Sequence, residues 1–316
     1  MINNNILVSI CCVAYNHESF IKNCLDGFVN QKTNFNYEIL IHDDASTDNT
    51  QSIIRSYEER YPDKVRGIYQ TENQWVKNNC NPLIEILFPI VRGKYIALCE
   101  GDDYWTDPYK LQKQVDFLEN DNNYVLCFTR GYILNEFTKT KRVSTEDNIP
   151  TAISFDDLLA GNNQLTATCV FRNILSQNIP NWFKESPFGD FALYLTLLYK
   201  SNKKAICLND LTACYRIHSG GIHGRLHASN KKLINAHKMH IQFYNIIEQN
   251  LIKNKRNKKL NSAINERLNT ITKLLLEEHQ YFNAYVNNFA HLRYRLGIKY
   301  FLFNLVYISK GLIRGI

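Results

Sequence analysis

Two groups of acidic residues in this sequence of 316 residues each follow closely after an apolar run of strand length. The first group is Asp43 and Asp44, and the second is Glu100, Asp102 and Asp103. Carboxylates that lie close together repel and raise one another's pKa unless a cation or hydrogen-bond donors compensate. Oxygen ligands of this kind are preferred by hard cations such as Mg²⁺ and Mn²⁺. If the fold brings the two groups to one place, they predict a divalent metal site.

The alternation of strand-like and helix-like segments predicts the elements that place these groups. Apolar runs at residues 6–14, 37–42, 65–69 and 94–98 alternate with segments whose apolar residues recur at helical spacing. This pattern predicts an α/β fold with a parallel sheet and right-handed crossovers. Ligands of such sheets bind beyond the carboxyl ends of the strands, so we expect both acidic groups and residues 15–18 on one rim of the sheet.

Weaker patterns predict the rest of the chain. Asparagine or aspartate followed by proline, at Asn81 and Asp107, predicts two helix starts. The remaining body has the pattern of strands at residues 124–134, 166–172 and 211–217, a short helix at 190–199, and a polar surface excursion at 135–161. Helical composition beyond about Arg225 predicts two or three helices. We therefore expect a body at residues 1–224 and a helical region at residues 225–316.

The formal net charge of +7 is the sum of two opposite parts. Residues 1–224 hold 21 basic and 26 acidic residues, whereas residues 225–316 hold 16 basic and 4 acidic ones. A basic tail predicts contact with nucleic acid, anionic lipid or an acidic partner. Nucleic acid is the least favoured, because no recognisable nucleic-acid-binding module accompanies the basic residues. The apolar segment 294–308 with its basic flanks favours an anionic membrane surface, and solvated basic turns are the plain alternative.

Cysteine usage and hydropathy predict a cytoplasmic protein. The nine cysteines are an odd number, are scattered, and form no Cys-x-x-Cys pair, which is typical of reduced thiols. The N-terminus lacks the pattern of a signal peptide, and no apolar stretch reaches the ~18 residues that a spanning helix needs. The expected location is the cytoplasm, with peripheral attachment to the inner face of the cytoplasmic membrane if the basic tail binds lipid.

The sequence lacks the glycine-rich motifs that commonly bind phosphate. Neither Gly-x-Gly-x-x-Gly nor Gly-x-x-x-x-Gly-Lys followed by Ser or Thr is present. A diphosphate would instead be held by a divalent cation on the carboxylates. Such a cation also neutralises the charge that develops on a departing phosphate.

Several short motifs carry a resemblance to a known family. They are Tyr-Asn-x-Glu at residues 15–18, Asp-Asp-x-Ser-Thr-Asp at 43–48, Glu-Gly-Asp-Asp at 100–103, an acidic residue at a helix start at Asp190, and Tyr-Arg-x-His at 215–218. Trp105, Pro108 and Lys-Leu-x-x-Gln at 110–114 follow the third motif. Together they resemble the family 2 glycosyltransferases of GT-A fold and bacterial type. Glu100 departs from the aspartate usual in the family, and its role is left open.

The resemblance implies an inverting glycosyltransferase of the GT-A fold. The implied donor is a nucleotide-diphosphate sugar, the cofactor a divalent metal (Mn²⁺ or Mg²⁺), and the acceptor a lipid-linked or cell-surface glycan precursor, as in capsule or lipopolysaccharide synthesis. Asp190 is implied as catalytic base, and Asp103 and Asp102 as metal ligands with His218 as a further one. Asp43 would accept the imide N–H of uracil, which favours a UDP-sugar. The implied nucleotide-sugar site is Ala14, Tyr15, Asn16, Glu18, Asp43, Asp44, Asp102, Trp105 and Arg216.

Each of these assignments has a structural alternative. The acidic pair at residues 43–44 and Asp190 are residue types that commonly cap helices. A histidine at the end of a strand, such as His218, commonly has its hydrogen bonds satisfied within the protein and no functional role. The glycine pair after His218, however, would let the backbone approach a ligand closely. Trp105 is as often packing as sugar stacking.

Two other functions are compatible with an acidic site on an α/β sheet. A metal-dependent nucleotidyltransferase needs a glycine-rich basic loop after the first strand, where Asn16, His17 and Glu18 stand instead. A non-catalytic sugar-binding or scaffold protein would keep the acidic groups without chemistry. Binding of UDP that depends on a divalent metal separates these alternatives from a glycosyltransferase.

Overall fold

The first apolar run forms a strand near the centre of a mixed sheet. In the computed structural model it is β1, Ile6–Ala14, whose inner residues are buried. The structure describes residues 5–78, 80–145, 152–162, 164–221, 229–253, 257–294 and 297–314. The elements between β1 and the second acidic group are α1 (Ile21–Val29), β2 (Asn36–Asp43), α2 (Thr50–Arg60), β3 (Val65–Tyr69), α3 (Gln74–Asn78) and β4 (Tyr95–Leu98).

Further strands and helices follow β4. They are β5 (Tyr104–Trp105), α4 (Lys110–Asn120), β6 (Tyr124–Asn135), β7 (Thr140–Val143), β8 (Ala152–Ile153), α5 (Phe155–Ala160), β9 (Val170–Arg172), α6 (Gly189–Ser201) and β10 (Lys204–Ile217). The α-helices described after β10 are α7 (Asn230–Ile247), α8 (Lys258–Glu277), α9 (Tyr281–Phe289) and α10 (Gly297–Arg314).

Helix α1 shows how the predicted periodicity becomes packing. Its buried residues, Ile21, Cys24, Leu25 and Phe28, recur every three or four positions and therefore share one face. The ring of Phe28 packs edge-on against Trp105 of β5, with centroids 4.7 Å apart. Burying one such leucine or phenylalanine stabilises a fold by about 1.5–3 kcal/mol.

The sheet has the strand order β3-β2-β1-β4-β9-β6-β10-β5, with β7 paired to β6 and β8 to β10. Strands β3, β2, β1 and β4 are mutually parallel, as the sequence predicted. In contrast, β9 runs antiparallel to both β4 and β6, and β5 runs antiparallel to β10, so the sheet is mixed. The strand predicted at residues 166–172 starts as a 3-10 turn, Thr166–Thr168.

The segment predicted as a polar surface excursion, residues 135–161, contains β7, β8 and α5. Strand β7 is exposed along its whole length and joins the sheet through backbone hydrogen bonds to β6. A strand with no buried face has no apolar alternation, so its sequence carries no strand pattern. Residues 146–151 of this segment lie outside the described residues.

The helix predicted to begin at Pro82 is shorter and less regular than expected. It is a π turn, Leu83–Leu87, followed by a 3-10 turn, Phe88–Ile90. Pro89 lies at the start of the second turn, and a proline has no N–H to donate to the preceding helical turn. The regular helix is therefore interrupted.

The chain divides into two units. The body unit comprises residues 1–154, 163–184 and 196–217 and contains the sheet. The helical unit comprises residues 155–162, 185–195 and 218–316, so it takes in α5 and the start of α6 as well as α7 to α10. The boundary predicted after residue 224 lies outside the described residues. Beyond it the structure describes four α-helices rather than two or three.

The helical unit has an apolar core of its own. Asn257 begins α8 by accepting the Leu260 N–H at 3.0 Å, and its side-chain amide donates to Asp156 of α5 at 2.7 Å. Among the helices that the structure describes, none is both long and apolar enough to cross a membrane. The core residues, which α7 to α10 contribute, are Ile234, Ile271, Leu274, Leu275, Ala284 and Ile308.

A buried histidine links the stability of the helical unit to pH. His291 lies in the 3-10 turn Ala290–Arg293 and is fully buried. Its Nδ1 lies 2.7 Å from Asn265 Oδ1, and its ring stacks on Tyr300 with centroids 5.5 Å apart. Burial lowers the pKa of His291 to about 4, because the charged imidazolium loses its hydration.

We expect acidification to destabilise the protein through His291. The unfolded chain binds this proton with a pKa of about 6.5, whereas the folded chain binds it only near pH 4. The contribution to stability is therefore complete above the unfolded pKa, is lost as the pH falls towards the folded pKa, and amounts to at most ~3 kcal/mol. Urea unfolding followed by circular dichroism at neutral and mildly acidic pH measures it.

Two histidine variants provide the control. His291→Gln is expected to reduce the pH dependence of the unfolding free energy, because glutamine does not titrate. His279→Gln replaces an exposed histidine and is expected to leave that dependence unchanged. An unreduced pH dependence in His291→Gln would contradict the assignment.

Candidate functional site

The loops after β1 and β2 are tied together by side chains that the sequence predicted to bind the nucleotide. The Asn16 N–H donates to Ser46 Oγ at 2.9 Å, and Asn16 Oδ1 accepts from the Thr47 N–H at 2.8 Å. Glu18 Oε2 accepts from both the N–H and the side-chain amide of Asn49, at 3.0 and 2.9 Å. Asn16 and Glu18 therefore shape this rim of the sheet. Their contact with a nucleotide stays a prediction.

Left-handed backbone conformations occur in both loops of this rim. Asn16 and Ala45 have φ values of 54° and 62°, in the left-handed region. Asparagine tolerates this conformation, whereas for alanine it costs about 1–2 kcal/mol, a strain of the kind that functional loops retain. The Ala14 carbonyl accepts the Asp44 N–H at 2.9 Å, which holds the two loops side by side. Tyr15 is left 44% exposed there.

Asp43 presents one carboxylate oxygen that the protein does not use. The residue is fully buried, and its Oδ2 accepts from the Ser46 N–H at 3.0 Å and from Gln51 Nε2 at 2.7 Å. Its Oδ1 is buried and has no hydrogen-bond partner in the part of the chain that the structure describes. The capping alternative accounts for Oδ2 alone, so a fixed acceptor remains for a ligand.

Asp44 has a supporting position in the structure. Its Oδ1 accepts the Gln74 N–H at 2.8 Å and its Oδ2 the Trp75 N–H at 3.2 Å. These are the first two residues of α3, a short helix that the sequence pattern did not predict. Both oxygens are thus engaged in holding the start of α3 next to the loop after β2.

The second acidic group forms a cluster in the loop after β4. The Gly101 N–H donates to the Val13 carbonyl at 2.9 Å, which holds this loop against β1. Glu100, Asp102 and Asp103 each offer a ligand atom, and these atoms all lie within 4.8 Å of one another. The longer side chain of Glu100 therefore still reaches the cluster.

Asp103 is the most buried member of the cluster, at 1% exposed. Its Oδ1 accepts the Arg216 N–H at 2.8 Å, whereas its Oδ2 is buried without a hydrogen-bond partner among the described residues. Burial, together with the charges of Asp102 and Glu100, raises the pKa of Asp103 well above its ordinary value. A buried oxygen without a partner, in a set made of oxygen ligands, fits a hard divalent cation.

His17 belongs to this site, although no sequence pattern assigned it a role. Its side-chain Nε2 lies 3.8 Å from Asp102 Oδ2, and its backbone N–H donates to Thr50 Oγ1 at 2.8 Å. The loop after β1 therefore places an imidazole against the carboxylate of Asp102. Only the position of His17 inside the Tyr-Asn-x-Glu motif pointed to it.

We expect Gly101→Ala to distort the acidic cluster. A Cβ at Gly101 would lie 2.8 Å from His17 Nδ1, 2.9 Å from Ile21 Cδ1 and 3.0 Å from Ala14 Cβ. Such overpacking costs about 1–3 kcal/mol, and relief requires the loop or His17 to move. Thermal unfolding and titration with Mn²⁺ followed by electron paramagnetic resonance measure the two effects.

Gly161→Ala is the matched control, because a Cβ at Gly161 would meet nothing within 4 Å. It should bind Mn²⁺ and unfold like the wild type. Wild-type stability and wild-type Mn²⁺ affinity in Gly101→Ala would contradict the prediction, because they would show that the loop accommodates the added methyl group without loss of free energy.

Arg216 is 5% exposed and binds the loop after β4 that carries the acidic cluster. Its Nη1 donates to the Asp102 carbonyl at 2.6 Å, and its backbone N–H is the donor to Asp103. The guanidinium lies 4.3 Å from the ring centroid of Tyr104, and Nε lies 3.4 Å from Glu136 Oε1. The structure thus gives Arg216 a positioning role. Its predicted contact with the nucleotide sugar stays a prediction.

Trp105 lies in the core of the body unit and is 4% exposed. Its indole N–H donates to the Ala167 carbonyl at 2.8 Å, and Lys110 Nζ lies 4.5 Å from the ring. Lys110 is fully buried, donates to Gln114 Oε1 at 2.6 Å, and has its pKa lowered to about 8 by burial. These contacts favour packing over the predicted stacking on a sugar. In the Lys-Leu-x-x-Gln motif, Lys110 therefore packs against Trp105, and Gln114 accepts the hydrogen bond that holds Lys110 there.

Asp190, the predicted catalytic base, lies in the helical unit. It is the second residue of α6 and is half-buried. Its Oδ1 accepts the N–H of Phe191 at 2.7 Å. Because α6 already includes Gly189, Asp190 stands in the first turn of the helix rather than at the capping position before it. The assignment as base stays a prediction.

His218, the predicted further metal ligand, also lies in the helical unit and is 8% exposed. Gly220 and Gly221 pack against its ring, because a Cβ on either glycine would lie 3.2–3.3 Å from an imidazole atom. The glycine pair therefore lets the backbone approach the His218 ring itself. Close packing on this ring explains why glycine stands at both positions. Metal ligation by His218 stays a prediction.

Comparison with known proteins decides the family. The family described as Glycosyl transferase family 2 matches residues 9–178. The chain belongs to glycosyltransferase family 2. WfaP of Escherichia coli, named a UDP-Glc:alpha-D-GlcNAc-diphosphoundecaprenol beta-1,3-glucosyltransferase, is 30% identical over 221 residues, which are 68% of this chain and 79% of WfaP. An uncharacterized protein of Mycobacterium bovis is 34% identical over 227 residues; the match covers 71% of this chain and 63% of that protein.

Solved structures confirm the predicted GT-A fold of this family 2 glycosyltransferase. S. aureus TarS 1-349 in complex with UDP-GlcNAc matches with a TM-score of 0.57 at 14% identity, covering 98% of this chain and 92% of TarS 1-349. The mannosyltransferase PcManGT of Pyrobaculum calidifontis, in complex with GDP-Man and Mn²⁺, matches with a TM-score of 0.55 at 15% identity, covering 97% of this chain and 86% of PcManGT. At these identities the likeness concerns the fold alone.

Proposed function

We propose that this family 2 glycosyltransferase moves a sugar from a UDP-sugar to an acceptor hydroxyl, with inversion at the anomeric carbon. The observation that carries the proposal is the buried carboxylate of Asp103, whose Oδ2 has no partner within the described residues and which clusters with Glu100 and Asp102. Such a cluster is unfavourable alone and favourable around a divalent cation that binds a diphosphate. Its place beyond the carboxyl end of β4 is where α/β sheets bind nucleotides.

Asp103 and Asp102 would hold the cation, with Glu100 as the third carboxylate. When bound, Mg²⁺ or Mn²⁺ neutralises the charge that develops on the departing diphosphate. The chain itself keeps the ligands in place. Arg216 binds the Asp102 carbonyl and the Asp103 carboxylate, and His17 faces the carboxylate of Asp102. The site is thus ordered before the donor arrives, which reduces the reorganisation that transfer requires.

Asp43 recognises the base in this proposal. Its Oδ2 is held by Ser46 and Gln51, so the unpaired Oδ1 is a rigid, buried acceptor for the imide N–H of uracil. Tyr15, exposed on the same rim, offers a ring face to the base. The name of WfaP, which specifies UDP-Glc, supports uridine as the nucleoside.

Asp190 takes the acceptor proton in this proposal. Inversion requires a base that removes this proton as the acceptor oxygen attacks the anomeric carbon and the bond to the diphosphate breaks. A carboxylate in the first turn of α6 suits the role, because the positive end of the helix dipole favours its ionised form.

A lipid-linked or cell-surface glycan precursor is the proposed acceptor, of the kind used to make capsule or lipopolysaccharide. WfaP is named for an acceptor of this class, alpha-D-GlcNAc-diphosphoundecaprenol. The sequence identity of 30% to WfaP extends over 68% of this chain and supports the class rather than the individual sugar.

Calorimetry with UDP tests the donor class. UDP is expected to bind in the presence of Mn²⁺, to bind much more weakly in the presence of a chelator, and to bind more tightly than GDP. Slow metal-dependent hydrolysis of nucleotide sugars without acceptor then identifies the sugar. Release of pyrophosphate from a nucleoside triphosphate would indicate a nucleotidyltransferase instead. Absence of metal-dependent UDP binding would overturn the proposal.

A further inference from the structure

Large apolar side chains are uncovered along two helices of the helical unit. On α9 they recur at intervals of three and four residues and therefore form one stripe. On α10 they begin one residue after the helix start and recur in the same way. The α9 stripe is Phe282, Tyr285, Val286 and Phe289, and the α10 stripe is Ile298, Leu302, Phe303 and Val306, with exposed fractions from 43% to 76%.

Helices α9 and α10 pack against each other beside the two stripes. The side-chain amide of Asn288 donates to the Phe301 carbonyl at 2.9 Å, and the rings of Phe289 and Phe301 lie 5.2 Å apart. Phe289 belongs to the α9 stripe, and Leu302 of the α10 stripe directly follows Phe301. We call the eight residues of the two stripes the apolar face. Single exposed apolar residues are ordinary, whereas a contiguous group marks a surface that binds something.

The chain segment that carries the apolar face holds charged residues of one sign. No acidic residue follows Glu278 in the sequence, whereas five basic residues do. Two of them, Arg293 and Lys299, are exposed in the structure. Aromatic and aliphatic side chains on one face with lysine and arginine beside them are typical of helices that lie in the headgroup region of a bilayer. The basic residues after Glu278 are Arg293, Arg295, Lys299, Lys310 and Arg314.

We propose that the apolar face binds the surface of an anionic bilayer. Its apolar side chains enter the boundary between headgroups and acyl chains, and Arg293 and Lys299 contact lipid phosphates. A second copy of this chain is a poorer occupant, because a paired face would bring like charges together with no carboxylate from this segment to compensate. The inference rests on the proposed function in one respect, since a lipid-linked acceptor gives such binding its purpose.

Flotation of the full-length protein with vesicles tests the proposal. The wild type is expected to float with vesicles of phosphatidylcholine that contain phosphatidylglycerol, and less with phosphatidylcholine alone. Phe282→Glu and Leu302→Glu should each reduce the bound fraction by about tenfold or more, because each puts a charge at the apolar boundary. Phe137→Glu replaces a phenylalanine that is 61% exposed in the body unit and should float like the wild type.

A charge reversal tests the electrostatic part. Lys299→Glu should lower binding to the anionic vesicles by about fivefold or more, while binding to phosphatidylcholine changes little. Arg66→Glu reverses an exposed charge on β3 and is the matched control. Equal flotation of wild type, Phe282→Glu and Leu302→Glu would overturn the proposal. So would a wild type that does not float but forms a dimer that Leu302→Glu dissociates.

Binding of UDP with Mn²⁺ is measured on the same samples. Wild-type UDP affinity in Phe282→Glu and Leu302→Glu, together with lost flotation, supports the proposal and shows that the variants are folded. Flotation of a wild type that fails to bind UDP would contradict the proposed function and leave the membrane contact standing. Normal UDP binding without flotation would contradict the membrane contact alone.

Discussion

Asp103→Asn is expected to abolish metal-dependent UDP binding and to lower the rate of sugar transfer by a factor on the order of 10³. Asparagine keeps the shape of the side chain and retains an oxygen for the Arg216 N–H, which Asp103 accepts at 2.8 Å. It removes the charge that a divalent cation needs. Calorimetry with UDP and Mn²⁺, and release of UDP from the donor in the presence of acceptor, measure the two losses.

The same substitution is expected to leave the metal-free protein as stable as the wild type, or slightly more stable. Burial and the charges of Asp102 and Glu100 raise the pKa of Asp103, so its ionised form is unfavourable in the folded protein. A neutral side chain relieves that repulsion. Lost binding with retained thermal stability therefore separates a ligand role from misfolding.

Asp116→Asn is the matched control for this prediction. Asp116 is exposed on α4, and its carboxylate accepts from Gln112 at 2.8 Å, one turn earlier on the same helix. This variant should bind UDP and transfer sugar like the wild type. If Asp103→Asn also bound UDP with wild-type dependence on Mn²⁺, the cation would have to lie elsewhere in the protein.

Asp190→Asn is expected to lower transfer by about 10²–10⁴-fold, the usual contribution of a general base. UDP binding in the presence of Mn²⁺ should stay near the wild-type value, because the proposed donor contacts come from the body unit. The oxygen that accepts the Phe191 N–H at 2.7 Å is retained in asparagine, so α6 should keep its first turn. Steady-state rates at saturating donor and a parallel binding titration measure both quantities.

Glu185→Gln neutralises an exposed acidic residue of the helical unit five positions before Asp190 and serves as its control. Its transfer rate should equal that of the wild type. Retained transfer in Asp190→Asn would rule out Asp190 as the base, and a joint loss of UDP binding would assign it to the donor site instead.

The elements that carry the site were predictable because their signals are local. An apolar run such as Ile6–Ala14 forms a strand wherever both of its faces are covered, and the pattern alone predicted its ends. The acidic residues follow these runs directly, so their common rim followed from the parallel pairing of β1 with β2 and β4. The exposed strand β7 pairs with the neighbouring β6 but has no buried face, so its sequence shows no apolar alternation. The antiparallel pairing of β9 depends on β4, which lies far along the chain, and periodicity does not contain that information.

Individual roles were harder to predict because they depend on which atoms meet. Arg216 and Trp105 are residue types that often touch sugars or phosphates, yet their polar atoms bind the Asp102 and Ala167 carbonyls. His17 contacts Asp102 across 85 positions of sequence, since the loops after β1 and β4 are neighbours in space. Residue type predicted the chemistry of this rim, and only the fold decides which side chains remain available to a ligand.

The pairing of β4 with β9 has a consequence for the nascent chain. The four parallel strands and both acidic groups are complete once Asp103 has been synthesised, so this part of the sheet can form early. The outer edge of β4, however, waits for β9, which is made much later as Val170–Arg172. In between, β4 exposes unpaired N–H and C=O groups next to the acidic loop, a template for pairing with another chain. Ribosome-bound intermediates of this length are therefore expected to aggregate more readily than the chain that has added β9.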